Sequence, residues 1–409
     1  MKKILIILLI NAIVPCLNIA MGQTLQYYKG PIVRDTMVLN GADNIPDITG
    51  LFPGKRAAIV ANQTSVVRTQ YNTYTHLVDT LVYLGVPIVK IFAPEHGFRG
   101  MGDAGEHIKD SIDAKTGKKI ISLYGKNAKP DSAALADVDY VIFDIQDVGA
   151  RFYTYISTLT DMMYACAKYN KELLILDRPN PNGFYVDGAV LDTTYRSFVG
   201  MHTVPVVHGM TIAEFALMIN GEHWLKDSLT CKLTYILVDY WNHKMMYQLP
   251  IAPSPNLKTM EAVYLYPSLC LFEGTNVSVG RGTPTPFEMY GSPYLKDMPF
   301  TFTPKSMAGS KKPMHMDVAC YGENLHYSSA KDGAVKYSLS YLLNAYNHTT
   351  KPDDFFGKSA FFEKLEGSGL LRQQVKDKLS EEDIRKGWQP GLEEFKKIRK
   401  KYLLYPDFE

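Results

Sequence analysis

The sequence predicts an α/β protein built on an open, mostly parallel sheet with helices on both faces, followed by a smaller α+β portion. Three observations carry this. Short apolar strands alternate with helical stretches over roughly residues 56–176. One strand, Tyr140–Ile145 (YVIFDI), is almost continuously apolar, as a strand covered on both faces is. The second half then breaks the alternation with short strands and loops rich in Gly and Pro.

The elements follow in order. After a polar lead-in to about Gly54, Arg56–Ala61 (RAAIVA) reads as the first strand. Thr73–Leu84 sets Leu77, Val78, Leu81, Val82 and Leu84 on one helical face. Pro87–Ala93 (PIVKIFA) is a second strand and Ile120–Leu123 a third. Tyr140–Ile145 is central, Phe152–Tyr169 is a long helix, and Leu173–Leu176 (LLIL) is another buried strand. Leu233–Val238 is one of the short strands of the less regular half. From about Ser359 the chain reads helical and charged, and Ser380-Glu381-Glu382-Asp383 has the form of a capping box opening a terminal helix. A chain of 409 residues exceeds what one core usually holds. A soft boundary near Tyr240 divides it into residues 23–240 and 241–409.

Residues 1–22 read as a signal peptide. Lys2 and Lys3 precede the apolar run Ile4–Ile13, and Ala20-Met21-Gly22 offers small residues for cleavage. No later stretch is long and apolar enough to span a membrane, so no stable membrane insertion is expected after cleavage. Without Lys2 and Lys3 the 44 Lys and Arg fall to 42, matching the 42 Asp and Glu. This neutral balance argues against nucleic acid as a partner. Cys166, Cys231, Cys270 and Cys320 show neither a disulfide framework nor zinc spacing; buried thiols or disulfides both remain open.

Polar residues collect where the parallel strands end. The second strand runs into Pro94-Glu95-His96-Gly97, YVIFDI into Gln146-Asp147, and LLIL into Asp177-Arg178-Pro179-Asn180. Ligands bind beyond such carboxyl ends, although Asp and Asn also serve there as caps and turn formers. Gly100–Gly105 spells GxGxxG, but Pro94–Arg99 separates it from its strand and no apolar helix follows, which excludes a dinucleotide site. His96, His202 and His208 lack helical metal-ligand spacing, so hydrogen bonding is the expected role and no metal is implied. Carboxylates are the chemistry that stands out. Paired carboxylates serve glycoside hydrolysis. Glu95 at a strand end and Glu273 in a Gly- and Asn-rich loop lead the candidates, with Asp144, Asp147, Asp177 and Glu288 behind them.

Several of these strings resemble the NamZ-type exo-β-N-acetylmuramidases, a bacterial glycoside hydrolase family. They are Ala93–Gly100 (APEHGFRG), Phe143–Leu159 (FDIQDVGARFYTYISTL), Leu176–Gly183 (LDRPNPNG), Phe198–Glu214 (FVGMHTVPVVHGMTIAE), Pro253–Leu257 (PSPNL) and Tyr266–Glu288. The resemblance spans about Ala57 to Tyr294; beyond it the match is one of general character. It implies a Rossmann-like domain, a smaller C-terminal domain and an active-site cleft between them. It also implies hydrolytic release of N-acetylmuramic acid from the non-reducing ends of MurNAc-GlcNAc fragments, without metal or organic cofactor. By position, Glu95 and Glu273 become the catalytic candidates, with acid and base unassigned between them. One departure stands out: Gly183-Phe184 replaces the family's Gly-Gly, which would place a larger side chain at the cleft rim.

The lactyl carboxylate of such a substrate calls for a cation, and Arg can hold it bidentately. Arg151, Arg178 and Arg281 are candidates; Asp147 and Asp177 are the alternative partners of the first two. Asn180, Asn182, Asn256, Asn276 and His208 are candidates for sugar hydroxyls or the acetamido group, and Tyr153 and Tyr155 for stacking on a ring. Long Gly-rich loops at residues 97–105 and 273–286 are suited to closing one end of a pocket, as exo action needs. The alternative reading is a non-catalytic periplasmic protein that binds muropeptides or sugars. Such proteins pair two similar lobes, and the second half here shows no repeated βα pattern. A secreted, periplasmic location is expected on either reading.

Overall fold

The computed structural model describes residues 25–71, 73–100, 110–123, 125, 129–327, 329–357 and 360–409. Residues 1–22, expected to be a signal peptide, and residues 101–105 of the GxGxxG string lie outside these. At the centre is a seven-stranded sheet. Its strands are β1 (Ala57–Ala61), β2 (Ile88–Ala93), β3 (Ser111–Ile112), β4 (Lys119–Ser122), β5 (Tyr140–Asp144), β6 (Glu172–Leu176) and β7 (Lys232–Ile236). Across the sheet they run β7-β6-β5-β1-β2-β4-β3, parallel except for the antiparallel β3. The chain builds outward from β1 to β2 and β4, then returns to the other side of β1 for β5, β6 and β7. That reversal leaves a crevice at the carboxyl ends of the central strands, where open α/β sheets bind ligands.

Period-two alternation divides each central strand between two apolar layers. Ile59, Ile91, Ile142 and Leu174 face one layer with Leu77, Val78 and Leu81 of helix α1 (Leu77–Tyr83). Val60, Phe92, Val141, Phe143 and Ile175 face the other with Ile156, Leu159 and Met163 of helix α2 (Tyr155–Lys168). This second layer continues without a break into the C-terminal half, through Leu257, Phe272, Tyr290, Phe362 and Phe395. That half comprises helix α4 (Met260–Leu269), which follows α3 (Ile212–Gly221), and a small antiparallel sheet. The sheet's strands are β8 (Met289–Ser292), β9 (Phe300–Phe302) and β10 (Cys320–Asn324), in the order β8-β10-β9. Helices α5 (Ser340–His348), α6 (Phe361–Glu366), α7 (Leu371–Lys376), α8 (Glu381–Lys386) and α9 (Gln389–Lys400) complete it.

The structure corrects four expectations. Tyr74–His76 is a short strand paired with Val66–Arg68, so the helix expected over Thr73–Leu84 starts only at Leu77, where the His76 ring accepts the Val78 N–H. The long helix begins at Tyr155 rather than Phe152, which frees Phe152–Thr154 to turn over the sheet. The strand expected at Leu233–Val238 among short irregular ones spans Lys232–Ile236 and is the edge strand of the large parallel sheet. Ser380 does cap a helix, but that helix is α8, and a further helix, α9, follows it. All four described cysteines are buried free thiols.

Candidate active site

Strand β2 ends at Ala93 and the chain turns sharply at Pro94–Gly97, closed by the Gly97 N–H on the Pro94 carbonyl at 3.0 Å. His96 (φ 69°) and Gly97 (φ 78°) are both left-handed. A side-chain-bearing residue adopts that conformation only where its surroundings impose it, and such positions gather at functional sites. The turn sends Glu95 into a cavity of about 310 Å³ beyond the sheet, within the usual range of small-ligand sites, ~300–1,000 Å³. The Thr154 hydroxyl donates to Glu95 Oε2 at 2.9 Å.

The opposite wall comes from the C-terminal half. Helix α4 is capped by the Thr259 hydroxyl and tightens at its end into a 3₁₀ turn, Cys270–Gly274, that carries Glu273. Arg281 reaches back across the loop to this carboxylate, with Nε at 2.9 Å and Nη2 at 2.5 Å from the same oxygen, Oε1. The guanidinium also lies 5.1 Å from the Phe287 ring centre. Both members of the ion pair keep about a quarter of their side-chain surface exposed. Glu95, Glu273 and Arg281 line the same cavity.

Aromatic residues shape its interior. Tyr153 and Tyr155 meet edge to face at 4.8 Å, and Tyr266 packs against Tyr153 at 5.6 Å and Phe287 at 5.1 Å. Both Tyr153 and Tyr155 donate to the Pro253 carbonyl, at 2.9 and 3.3 Å, and so tie the sheet to the PSPNL segment. Burial holds both phenols above their ordinary pKa, so they act as neutral donors and apolar surfaces. Asn256 lines the cavity while donating to the Gly309 carbonyl at 3.0 Å. The arrangement offers two carboxylates, one cation and aromatic faces around a space for one small polar ligand. Among the described residues no cluster of His, Cys, Asp or Glu is arranged to hold a metal.

Of the residues picked from sequence, Glu95, His96, Tyr153, Tyr155, Asn256, Glu273 and Arg281 come together here. The others do not line the cavity. Arg178 forks onto Asp144, at 2.6 and 3.0 Å, in a fully buried pair; Asp177 is not its partner. Arg151 is also fully buried, and it donates to four backbone carbonyls rather than to Asp147. Asp177 accepts from the Tyr405 hydroxyl at 2.6 Å and the Ala213 N–H at 3.0 Å. Asn180 and Asn182 are buried and donate to the carbonyls of Met210 and Val148. His208 is buried beside Asp147, its Nε2 3.9 Å from the carboxylate. Asn276 donates to the Asp354 carbonyl. Glu288 is buried between the Thr259 hydroxyl and His326. Phe184 is no rim residue: it is buried and stacked 4.4 Å from Tyr28.

Sequence reasoning missed Thr154, Tyr266, Phe287, Phe361 and Leu365 as cavity residues. Thr154 carried a signal, since it lies between two chosen tyrosines. Phe361 and Leu365 carried none, because α6 reaches the cavity only through packing against the distant Gly274 turn.

Residues 57–261 match the family Exo-beta-N-acetylmuramidase NamZ, N-terminal, and residues 264–405 its C-terminal counterpart. Peptidoglycan beta-N-acetylmuramidase NamZ of Bacillus subtilis (strain 168) is 37% identical over 398 residues, covering 92% of this chain and 94% of the relative. A solved DUF1343-family protein of Bacteroides fragilis is 45% identical with a TM-score of 0.82, covering 90% of this chain and 99% of its own. A second from the same organism is 29% identical with a TM-score of 0.76 at the same coverage.

Proposed function

The chain belongs to the NamZ exo-β-N-acetylmuramidase family of glycoside hydrolases, and from that premise we propose how its cavity acts: it releases N-acetylmuramic acid from the non-reducing end of MurNAc-GlcNAc fragments. The observation that carries this is the meeting of Glu95, Glu273 and Arg281 in one aromatic-lined cavity. Glycoside cleavage needs an acid for the leaving oxygen and an ionised carboxylate on the sugar side. Arg281 pairs with Glu273, so Glu273 takes the ionised role. Glu95, the other carboxylate lining the cavity, takes the acid role. Arg281 Nη1 makes no hydrogen bond among the described residues, and it is the donor that meets the lactyl carboxylate. Tyr153, Tyr155 and Tyr266 cover the apolar faces of the sugar. Residues 1–22 have the make-up of a secretory signal, so the enzyme works outside the cytoplasm, in the periplasm.

The test is hydrolysis of a chromogenic β-N-acetylmuramide, its β-N-acetylglucosaminide counterpart and MurNAc-GlcNAc, by wild type and Glu95→Gln. Wild type is expected to cleave the muramides alone. Glu95→Gln should lose about 10²–10⁴ in rate on MurNAc-GlcNAc, and less on the nitrophenyl glycoside, whose leaving group needs little protonation. Equal losses on both substrates would overturn the acid assignment. Equal wild-type cleavage of both aryl sugars would remove the lactyl-binding role of Arg281.

A further inference from the structure

Helix α2 borders two cavities. Tyr155 at its start lines the one described above, and Thr160, Asp161 and Tyr164, further along, line a second of about 320 Å³. Residues 155 and 161 lie about 9 Å apart along the helix axis. The two cavities also share a strip of chain: Phe198 and Val199 face the first, while Arg196 and Ser197 face the second.

The second cavity has the parts of a polar ligand site. Asp161 is only 4% exposed. One of its oxygens lies 3.3 Å from the Lys129 ammonium, and the other makes no hydrogen bond within the described protein, nor does the Ser197 hydroxyl. Buried polar atoms are rarely left so. Trp224 stacks on the buried His202 at 4.7 Å, and the Thr160 hydroxyl lies 2.8 Å from that ring's Nε2. Burial pushes the His202 pKa down to about 3, so that ring is an uncharged platform. Arg196 and Lys226 stand at the edge with no acidic partner among the described residues. Asp227, next to Lys226 in the chain, accepts from the Tyr164 hydroxyl.

We propose that this cavity is a second glycan-binding site, taking a carboxylate-bearing amino sugar of peptidoglycan beyond the unit being cleaved. An aromatic platform suits the apolar face of a sugar ring, and the Asp161 and Ser197 oxygens suit its hydroxyl and amide hydrogens. The cationic edge selects the acidic sugar over its neutral neighbour, with the Arg196 guanidinium holding the carboxylate. The inference rests on the function proposed above, since it takes the same polymer as its ligand. It adds a site that holds the enzyme on long substrate without touching the reacting bond.

The experiment measures retention of the inactive Glu95→Gln protein on insoluble peptidoglycan, with and without Arg196→Glu, alongside turnover of the chromogenic muramide by the Glu95 forms. Arg196→Glu is expected to weaken retention roughly tenfold, the scale of one lost charge-assisted hydrogen bond, and to leave turnover of the small substrate unchanged. Lys226→Glu, at an exposed position in a separate turn, should act in the same direction. Unchanged retention in both variants overturns the site. Retention that falls only together with small-substrate turnover overturns it too, because the defect is then in the first cavity. If wild type does not cleave the muramide at all, the proposed function fails, while the retention comparison still reports on this cavity.

Discussion

Asp147 shows how a single buried residue sets a pH dependence. Its Oδ2 accepts the Gly149 N–H at 2.7 Å, while Oδ1 makes no hydrogen bond within the described protein. Burial pushes its pKa to about 7, and burial likewise pushes the neighbouring His208 down to about 3. Near pH 6 the two therefore face each other uncharged. An unfolded Asp has a pKa near 3.9, so the folded state holds a proton that the unfolded chain has lost. Asp147's own contribution to stability then falls as pH rises from about 4 to about 7, by ~4 kcal/mol in total, while His208, whose folded pKa lies below its unfolded value, contributes in the opposite sense. Asp147→Asn removes that titration and keeps an acceptor for Gly149. The difference in unfolding free energy between wild type and variant should shift by about 1.4 kcal/mol per pH unit across this window in urea titrations, in favour of the variant as pH rises. A difference that stays flat from pH 4 to 8 overturns the assignment. The same residue marks where sequence reading stops. Polar residues at strand ends were visible in the sequence, but a strand-end acid turned into a cavity and one locked beneath a loop have the same local spelling. Glu95 is the first kind. Asp144 and Asp177 are the second, held by Arg178 and Tyr405, partners 34 and 228 residues away.

Helix α6 illustrates an element whose role is set by a contact outside itself. Its charged, helical character was legible after Ser359, yet Phe361 and Leu365 reach the cavity because α6 rests directly on the turn that carries Glu273. The contact is tight: a Cβ on Gly274 would lie 2.6 Å from the Phe362 Cα. The Gly357 N–H to Gly274 carbonyl bond, 3.0 Å, and the Asn276 N–H to Phe355 carbonyl bond, 2.8 Å, hold the same seam. Gly274→Ala cannot be absorbed by a side-chain rotation, because backbone meets backbone. The variant should lose ~1–3 kcal/mol of stability through overpacking. Since the displaced turn carries a proposed catalytic carboxylate, kcat/KM on the muramide should fall roughly tenfold or more. Thermal melts read the first effect and steady-state kinetics the second. A lowered Tm with unchanged kcat/KM would mean that α6 supports the fold without fixing the carboxylate. By contrast, β1, β2 and β5 were readable from sequence almost to the residue, because burial on both faces leaves a continuous apolar run that no distant contact rewrites.

At the scale of the whole molecule, Arg151 joins the halves. Its Nη1 donates to the carbonyls of Ala189 and Val204, at 2.7 and 2.8 Å, and its Nη2 to those of Leu365 and Glu366, at 2.9 and 2.7 Å. The last two close the C-terminal end of α6, where the helix dipole is negative and a cation is favoured. Burial lowers the Arg151 pKa only to about 10, so the guanidinium stays charged at neutral pH. A buried cation that donates to four carbonyls from three stretches of chain is costly to remove, because the acceptors are then left without donors. Arg151→Met keeps most of the apolar volume and removes every one of those bonds. The expected loss is about 3–5 kcal/mol, seen as a lower Tm and a lower urea midpoint. The loss is not local to the first half. Leu365 lines the same cavity as Glu95, so loosening this joint should also raise KM for the muramide before the protein unfolds. Arg178→Met offers the contrast: it breaks a buried pair inside the sheet and leaves Asp144 uncompensated, and the hydrogen bonds it removes, to Asp144 and the Val66 carbonyl, reach no residue of the C-terminal half. It should therefore lower stability by a similar amount with KM unchanged in the protein that remains folded. If the two variants raise KM equally, Arg151 acts only on stability, and the seam between the halves is held by the shared apolar layer alone.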